Sequence, residues 1–487
     1  MPITPGEPSS RVALAVLSYS QPRRDGGFDL RGCALRQSAL SRLQVMSVSA
    51  TDELIAFVRD LDYTLLPDDV ASQARRCVLD LLGVAIAGSR TKMARVSTRF
   101  ACSQFSSGKT TLIGSPVRLG EMGATWVNGI CASALDMDDG HRLAMGHPGA
   151  AVIPTALAVA ETSGASGRDF LAAVVAGYEM AVRVSVSRVP DYKAHHYSTG
   201  IWGGLGSVAA AGKLLQFDRQ TFQHALGIAA AHGPFPPSGV FLYNSMVKEV
   251  IGWAGVIGCS SAFLAREGFT GPEDTLDRSG RYDTTQLVEN LGREYAILKT
   301  YFKPYASCRW SHSAIDGVLE LARKHNLRPE EVEEIHVRGF REATRLCNDA
   351  PTTTVAAQYS IPFSVALALS RGRIGPGELT EANLQDQGLL QLARKVRVSV
   401  DPEFDRLFPD KTVAKVTIHT GRGAFATTVE YPRGNPENPL SDAELAEKFR
   451  SLTVDVLGEE RSAELEVAID HLEQMDSVKR LAELLAF

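Results

Sequence analysis

Apolar residues recur at helical spacing from Ala50 onwards, and this spacing predicts a helical body. The stretch ATDELIAFVRDL offers Thr51 and Asp52 as helix N-caps, and LPDDVASQARRCVLDLLGVAIAG continues the apolar face as far as Gly88. Later segments share this spacing and are rich in alanine and glycine: 167–186, 218–233 and 248–268. Because small residues let helices approach closely, this part of the chain is predicted to be a packed all-α body.

The pattern changes after Lys303-Pro304, where apolar and polar residues begin to alternate. Four segments have the period of two that predicts β-strands: 333–340, 396–400, 414–420 and 424–432. The tetrapeptide TGRG between the last two predicts a hairpin turn, and helical stretches at 311–326 and in SIPFSVALALSRG lie among the strands. After RGNPENP, Ser441 and Glu444 form a capping box that is expected to begin the C-terminal helices.

These patterns predict a mainly α protein in which a smaller α+β domain is inserted into a large all-helical domain. The 487 residues exceed one ordinary core, so we assign the helical domain to 51–302 and 440–487 and the insertion to 303–439. Residues 1–50 contain six arginines, three acidic residues and many serines without a sustained period. We expect a disordered N-terminal extension, or a true start at Met46, in preference to a transit peptide.

Composition narrows the class of protein. Apolar residues make up 44% of the chain, charged residues make up 22%, and the net charge is −5, as in soluble globular proteins. The body of the chain contains no Lys/Arg-rich run of the kind that would indicate a nucleic-acid partner. The seven cysteines are scattered without a CxxC pair, which favours a reducing compartment, and the longest apolar run (149–160) is too short to span a bilayer. We therefore expect a cytoplasmic protein with neither a nucleic-acid nor a membrane partner.

The stretch DMDDGHRLAMGHPG (136–149) carries three carboxylates and two histidines. Asp136 and Asp139 are three residues apart and would share a helix face, while His147 opens the helix-breaking His-Pro-Gly. A metal site is disfavoured because HEXXH is absent and Arg142 stands where a DDXXD site needs an acid. A loop network of aspartates that accept backbone N–H bonds is the structural alternative, and acid/base chemistry is the third.

Three other segments gather polar groups beside small or apolar residues. His196 precedes a glycine-rich helix start that does not fit GxGxxG, so close helix packing competes with carboxylate binding at the helix N-terminus. Lys248 is predicted to begin an apolar helix, where a cation opposes the helix dipole. Lys303, Arg309 and His312 bring positive charge to the predicted domain junction, a common position for active sites.

Taken together, these segments resemble the MmgE/PrpD family, which includes 2-methylcitrate dehydratase, cis-aconitate decarboxylase and iminodisuccinate epimerase. The matching segments span most of residues 51–370: LDLLGVAIAG, NGICASALDMDDGH, HPGAAVIPTALAVAE, GYE, STGIWGGLG, MVKEVIGWAG, EGFTGP, KPYASCRWSHSAID and QYSIPFSVALAL. The resemblance implies a large all-helical domain with an inserted smaller α+β lid domain. It also implies a metal-independent homodimer without a cofactor that acts on small di- or tricarboxylates.

The resemblance also assigns site residues. The catalytic positions that it implies are Asp136, His147, Lys248 and His312. The expected substrate-binding residues are His196 and Tyr197, which lie at the family's HPTG-like motif, and Lys303 and Arg309, which supply positive charge for an anion. Enzymes of this kind break a bond alpha to a carboxylate, which requires an acid/base group and cations where negative charge develops. We expect His147 and His312 to be the acid/base pair and Asp136 to orient His147. Lys248 is expected to stabilise charge, and the pair Asp138-Asp139 to support the loop.

Several functions stay open at this point. A 2-methylcitrate dehydratase-like hydro-lyase is placed first, with a cis-aconitate decarboxylase-like carboxy-lyase or an epimerase of an iminodisuccinate-like acid as alternatives. A non-catalytic dimeric family member is an alternative of another class. A metal-dependent hydrolase is a further one, and it would use Asp138, Asp139, His141 and His147.

The chain departs from the family pattern at three positions. Gly140 stands where the family often has threonine, and Phe363 stands where a tyrosine is usual. The family's histidine in its HPTG-like motif aligns with Tyr197, which leaves His196 one residue away. These positions are expected to contact substrate, so the substrate and the reaction are left open.

Overall fold

The first part of the chain is built almost entirely from helices. The computed structural model describes residues 49–195, 198–233 and 245–487. In chain order, the helices before residue 300 are Ala50–Asp60 (α1), Asp68–Gly88 (α2), Lys92–Gln104 (α3), Glu121–Ser133 (α4), Pro148–Ser163 (α5), Gly167–Val186 (α6), Pro190–His195 (α7), Thr199–Leu214 (α8), Arg219–His232 (α9), Ile251–Arg266 (α10), Thr275–Arg278 (α11) and Thr284–Val288 (α12).

Strands become prominent in the second part of the chain. Its helices are His312–His325 (α13), Thr354–Gln358 (α14), Ile361–Arg371 (α15), Glu381–Gln385 (α16), Gln387–Ala393 (α17), Pro402–Leu407 (α18), Asp442–Leu457 (α19), Glu459–Asp470 (α20) and Lys479–Leu485 (α21). The strands of the whole described chain are Ser107–Thr111 (β1), Arg118–Leu119 (β2), Gly140–His141 (β3), Thr300–Tyr301 (β4), Val332–Gly339 (β5), Val396–Val400 (β6), Ala414–Thr420 (β7) and Gly423–Val429 (β8).

The largest sheet has the strand order β6-β5-β7-β8. Strand β5 pairs in parallel with β6 and antiparallel with β7, so Ile335 lies opposite both Val396 and Ile418. Strands β7 and β8 form the predicted hairpin, and α13 packs on both of them. A separate antiparallel pair, β3 with β4, ties the polar loop after α4 to the segment that leads into Lys303. This small pair matters for the site.

Local sequence signals explain most helix boundaries. Helix α6 begins and ends where the pattern predicts, and the capping box of Ser441 and Glu444 is confirmed at the start of α19. The predicted N-cap of the first helix was wrong. Ser49, two residues before Thr51, caps α1 by accepting a hydrogen bond from the backbone N–H of Asp52.

Two hydrophobic clusters form the interior. The first joins the helices of the N-terminal part to α19 and the C-terminal helices, and includes Trp202 and Tyr178 with no exposed surface. Helices α6 and α8 approach so closely that a Cβ on Gly206 would lie 2.6 Å from the carbonyl oxygen of Gly177. The second cluster joins α13, α15, β5 and β7. The predicted mainly α fold is confirmed, whereas the domain boundaries stay a prediction.

No helix in the described ranges is long and apolar enough to cross a membrane.

Candidate active site

A left-handed turn places Asp136 in the interior. Helix α4 ends at Ser133, and Asp136 follows with φ of +53°, which aspartate tolerates better than most residues. The prediction that Asp136 and Asp139 share a helix face was therefore wrong, because both lie beyond the end of the helix. Only 2% of Asp136 is exposed. A carboxylate this deeply buried requires compensating cations.

Lys248 reaches the same place from a second strained turn. The prediction that Lys248 begins a helix was wrong, because α10 begins at Ile251. Lys248 and Val250 have φ of +47° and +60°, and a positive φ is costly for a β-branched residue such as valine. The turn directs the ammonium group inwards, where it donates to the carbonyl oxygen of Ser133 and, over 3.1 Å, to Oε1 of Gln358.

Two lysines surround the Asp136 carboxylate. Nζ of Lys303 lies 3.1 Å from Oδ1 and Nζ of Lys248 lies 3.7 Å from the same oxygen. Burial alone would raise the pKa of Asp136, but the two ammonium groups outweigh burial and hold this pKa well below its usual range. Burial alone would lower the pKa of Lys303, but the Asp136 carboxylate outweighs burial and raises this pKa. At Lys248 burial outweighs the nearby carboxylates and lowers the pKa.

His147 lies between carboxylates at the start of α5. Its Nδ1 is 3.0 Å from Oδ2 of Asp138, and its Nε2 is 3.8 Å from Oδ1 of Asp136 and 3.7 Å from Oε1 of Glu249. Burial alone would lower the pKa of His147, but the Asp138 carboxylate outweighs burial, so that the pKa lies above its ordinary value. The charged form of His147 is thus favoured more strongly than in a free histidine.

The two neighbouring aspartates differ in function. Asp139 faces away from His147 and accepts hydrogen bonds from the N–H of Gly149 at 3.1 Å and the hydroxyl of Tyr178 at 2.5 Å. Burial raises its pKa to about 7. Asp139 thus supports the loop, as expected. Asp138 does not match its predicted loop role, because its carboxylate faces Nδ1 of His147.

Arg309 and His312 are locked together in the interior. The guanidinium donates to Nδ1 of His312 at 3.1 Å and to carbonyl oxygens of the 432–433 turn at 3.0 Å, and Nε2 of His312 donates to the carbonyl of Ser307 at 3.1 Å. An arginine only donates, so Nδ1 of His312 is unprotonated. Burial and the charge of Arg309 hold the pKa of His312 well below its ordinary value. A catalytic role for His312 stays a prediction, since both ring nitrogens are engaged.

A cavity opens at this cluster. The described residues that line it are Asp136, Arg142, Met145, Gly146, His147, Glu249, Tyr301, Cys308, Arg309, Trp310, Tyr359, Phe408, Thr412 and Asn435. His196 and Tyr197 lie outside the described residues, so their predicted substrate-binding roles stay predictions. Phe363 lies in the second hydrophobic cluster and does not line this cavity.

The site contains atoms that could bind a cation. One ligand atom from each of Asp136, Asp138 and His147 lies within 4.8 Å of the other two. This trio differs from the predicted metal set, because Asp139 points elsewhere and Nδ1 of His141 accepts the N–H of Ala144. The ammonium groups of Lys303 and Lys248 already neutralise Asp136 and would repel a metal ion.

Comparison with known proteins identifies the family of the chain. Residues 52–287 match the MmgE/PrpD N-terminal domain and residues 305–474 match the MmgE/PrpD C-terminal domain. The chain belongs to the MmgE/PrpD family. It is an enzyme of the lyase class.

Relatives in the family share about a quarter of their residues with this chain. A cis-aconitate decarboxylase from Aspergillus terreus is 26% identical over 472 residues, which cover 89% of this chain and 95% of the relative. The cis-aconitate decarboxylases of Mus musculus and Homo sapiens are each 25% identical to this chain, and each alignment covers 91% of this chain. The alignments cover 94% of the Mus musculus protein and 95% of the Homo sapiens protein. The chain is therefore similar to these decarboxylases along nearly its whole length.

Sequence reasoning missed several residues of this site. Glu249 fixes the start of α8 by accepting the N–H of Thr199 at 3.1 Å and also the Thr199 hydroxyl. Its position directly after Lys248 in an otherwise apolar segment was an available signal. Tyr301 and Tyr359 line the cavity as well, but no local sequence pattern distinguishes them from core aromatics.

Proposed function

We propose that this enzyme is a carboxy-lyase that releases carbon dioxide from an unsaturated tricarboxylate of the cis-aconitate type. The observation that carries the proposal is the position of His147 on the cavity wall, next to Asp138 and beside the lysine-bound Asp136. The full-length similarity to cis-aconitate decarboxylases supports decarboxylation over the dehydration that the sequence placed first.

Arg309 is proposed to bind a carboxylate of the substrate. The hydrogen bonds described above join it to neutral acceptors, and no carboxylate in the described part of the chain lies within ion-pair distance of its guanidinium. Its buried Nε–H has no hydrogen-bond partner among the described residues. Burial lowers the pKa of Arg309 to about 10, so it remains a cation at neutral pH. A buried cation without an anion favours binding of one.

The proposed reaction breaks one carbon–carbon bond and makes one carbon–hydrogen bond. The bond to the departing carboxylate breaks, carbon dioxide leaves, and the electron pair is delocalised through the neighbouring double bond into a second carboxylate. The resulting carbanion takes a proton at carbon, so each turnover consumes one proton. This sequence requires one acid and a cationic environment for the delocalised charge.

His147 is proposed to deliver this proton. Its raised pKa favours the imidazolium that donates the proton, and Asp138 next to Nδ1 is proposed to fix the orientation of the ring. The proton leaves from Nε2, the ring nitrogen on the side of Asp136 and Glu249. The proposal thus transfers the orienting role from Asp136 to Asp138.

Lys303 and Lys248 are proposed to stabilise the delocalised charge. Asp136 holds both ammonium groups together and offsets part of their mutual repulsion. Because both lysines are almost fully buried, their attraction for a developing carboxylate charge is stronger than it would be in water. In this proposal Asp136 is a positioning residue.

The test is a product analysis with three acids. Purified protein is incubated separately with cis-aconitate, citrate and 2-methylcitrate, and substrate loss is followed by proton NMR together with carbon dioxide release. The proposal predicts that cis-aconitate is consumed and one carbon dioxide is released per molecule.

Other outcomes separate the alternatives. Loss of water from citrate or 2-methylcitrate without carbon dioxide would favour the dehydratase. No turnover of any acid by folded protein would contradict both. Homodimer assembly is proposed on the family resemblance alone. Cytoplasmic location is proposed from the composition, an α+β lid over residues 303–439 from the strand pattern together with the resemblance, and metal independence from the resemblance and from the two lysines beside Asp136.

A further inference from the structure

The loop that carries the site aspartates is closed by a contact between Gly140 and Tyr301. These two residues are paired across the two-stranded sheet β3–β4. A Cβ placed on Gly140 would lie 2.3 Å from the Tyr301 hydroxyl oxygen and 2.4 Å from the ring carbon that bears it. No real Cβ atom fits at such distances, so the phenol end of Tyr301 fills the space that any larger residue at position 140 would need.

The same phenol belongs to the cavity wall. Tyr301 is 6% exposed and lines the cavity together with Asp136, His147 and Arg309. The Arg309 guanidinium carbon lies 4.6 Å from the centre of its ring, which fixes the ring by a cation–π contact. No described residue forms a hydrogen bond with the Tyr301 hydroxyl. A tyrosine that is buried on all but its cavity side normally has a partner for its hydroxyl.

We propose that Tyr301 contacts the substrate and that its hydroxyl donates a hydrogen bond to a substrate carboxylate oxygen beside Arg309. This proposal rests on the proposed function, because it assumes that the cavity binds a polycarboxylate. The absence of a side chain at Gly140 is part of the same arrangement, because it gives the phenol its position. Residues 140 and 301 together therefore determine the shape of this cavity wall.

The chemistry of the phenol fits this role. Burial raises the pKa of Tyr301 above its ordinary value, so the hydroxyl keeps its proton over the physiological pH range. A neutral phenol donates to a carboxylate without adding charge, whereas Arg309 supplies the charge. The two donors are held together by the ring–guanidinium contact, so they can bind the two oxygens of one carboxylate or two neighbouring carboxylates.

The first test removes only the hydroxyl. Tyr301→Phe and wild type are compared for binding of tricarballylate, a saturated tricarboxylate that cannot be decarboxylated by this route, by isothermal titration calorimetry. We expect Tyr301→Phe to bind about 10-fold or more weakly, with an unchanged melting temperature, because a hydrogen bond to a charged group is lost. Tyr295→Phe is the matched control, since Tyr295 packs against Phe57 away from the cavity.

The outcomes of this test are distinct. Equal affinity of wild type and Tyr301→Phe would overturn the role of Tyr301 and leave the proposed function intact. If wild type bound neither tricarballylate nor cis-aconitate, the proposed function would fail, and the Tyr301 contact would fail with it.

The second test concerns the packing of Gly140 and does not depend on any ligand. Gly140→Ala should lower the melting temperature in the wild-type background, because its Cβ collides with the phenol. In a Tyr301→Ala background the same substitution should change the melting temperature little, since the atoms that collide with the new Cβ are absent. If the effects of the two substitutions on the melting temperature were additive, the proposed packing contact between Gly140 and Tyr301 would be wrong, because residues in contact are expected to couple.

Discussion

Oδ2 of Asp138 lies 3.0 Å from Nδ1 of His147, whereas the nearest contact of Asp136 with the same ring is 3.8 Å, at Nε2. The two carboxylates therefore act on opposite edges of one imidazole. Asp138 is fully buried, and burial alone would raise its pKa, but His147 holds the pKa below its ordinary value. Each partner thus favours the charged form of the other, and this contact is the basis for proposing that Asp138 rather than Asp136 orients the ring.

Asp138→Asn should shift the pH dependence of turnover. The Asp138 carboxylate is what raises the pKa of His147, so its loss should lower that pKa. If His147 is the proton donor, activity falls as pH rises through its pKa, and the alkaline limb should move to lower pH. The measurement is kcat/KM for cis-aconitate against pH. Asp455→Asn on an exposed helix face is the control, and an unmoved alkaline limb would contradict the assignment of His147 as the acid.

Asp136→Asn should destabilise the folded protein. It would leave the ammonium groups of Lys303 and Lys248 buried without their anion, at a cost of about 3–5 kcal/mol in the free energy of unfolding. The folded-state pKa of Asp136 is lowered, so its contribution is present above the unfolded value of about 4 and is lost as pH falls further.

Chemical denaturation at pH 7 and at acidic pH measures this effect. The difference between wild type and Asp136→Asn should be largest at pH 7 and shrink in acid. Glu464→Gln, which removes a surface partner of Arg480, should cost less than about 1 kcal/mol. If Asp136→Asn lowered the free energy of unfolding as little as Glu464→Gln does, the burial of Lys248 and Lys303 would not depend on the Asp136 carboxylate.

Arg309→Lys should weaken substrate binding more than it slows the chemical step. A lysine ammonium cannot reproduce the planar set of bonds to His312, Asn435 and the 432–433 carbonyls, nor the buried Nε–H that has no partner among the described residues. We expect KM to rise about 10-fold or more, in line with the loss of a charge-assisted hydrogen bond. Steady-state kinetics on cis-aconitate measure this effect, and a fall in kcat with unchanged KM would assign Arg309 to the chemical step instead.

Removal of metal ions should leave activity unchanged. The ligand atoms of Asp136, Asp138 and His147 are close enough for a metal, but two lysine ammonium groups already neutralise the site. The measurement is turnover after exhaustive chelation, with metal analysis of the same sample. Activity that disappears on chelation and returns with zinc or manganese would revive the metal-dependent hydrolase.

The sequence predicted the fold well where one periodicity dominates. Helix α6 and strands β6 and β7 have the predicted bounds, because apolar residues recur at regular spacing along the buried face of each element. The segments 136–149 and 248–255 were harder, because backbone turns with positive φ at Asp136 and Lys248 end or delay a helix against the local pattern. Such turns are stabilised by long-range contacts that no local signal contains.

The composition of the site was predicted better than its connections. Asp136 lies near His147, Lys248 and Lys303, and it lines one cavity with His147 and Arg309, while their roles stay predictions. The partner of each side chain could not be read from the sequence. The partner of His147 is Asp138 because the loop between α4 and α5 folds back on itself, and the partner of Gly140 is Tyr301, which lies 161 residues further along the chain.

The most direct test of this account is carbon dioxide release from cis-aconitate by wild type and by His147→Gln. Glutamine keeps a polar side chain of similar length but cannot supply the proton. The account predicts turnover by wild type and a loss of about 100-fold to 10,000-fold in kcat for His147→Gln, with tricarballylate still bound. Equal turnover by the two proteins, or none by folded wild type, would contradict it.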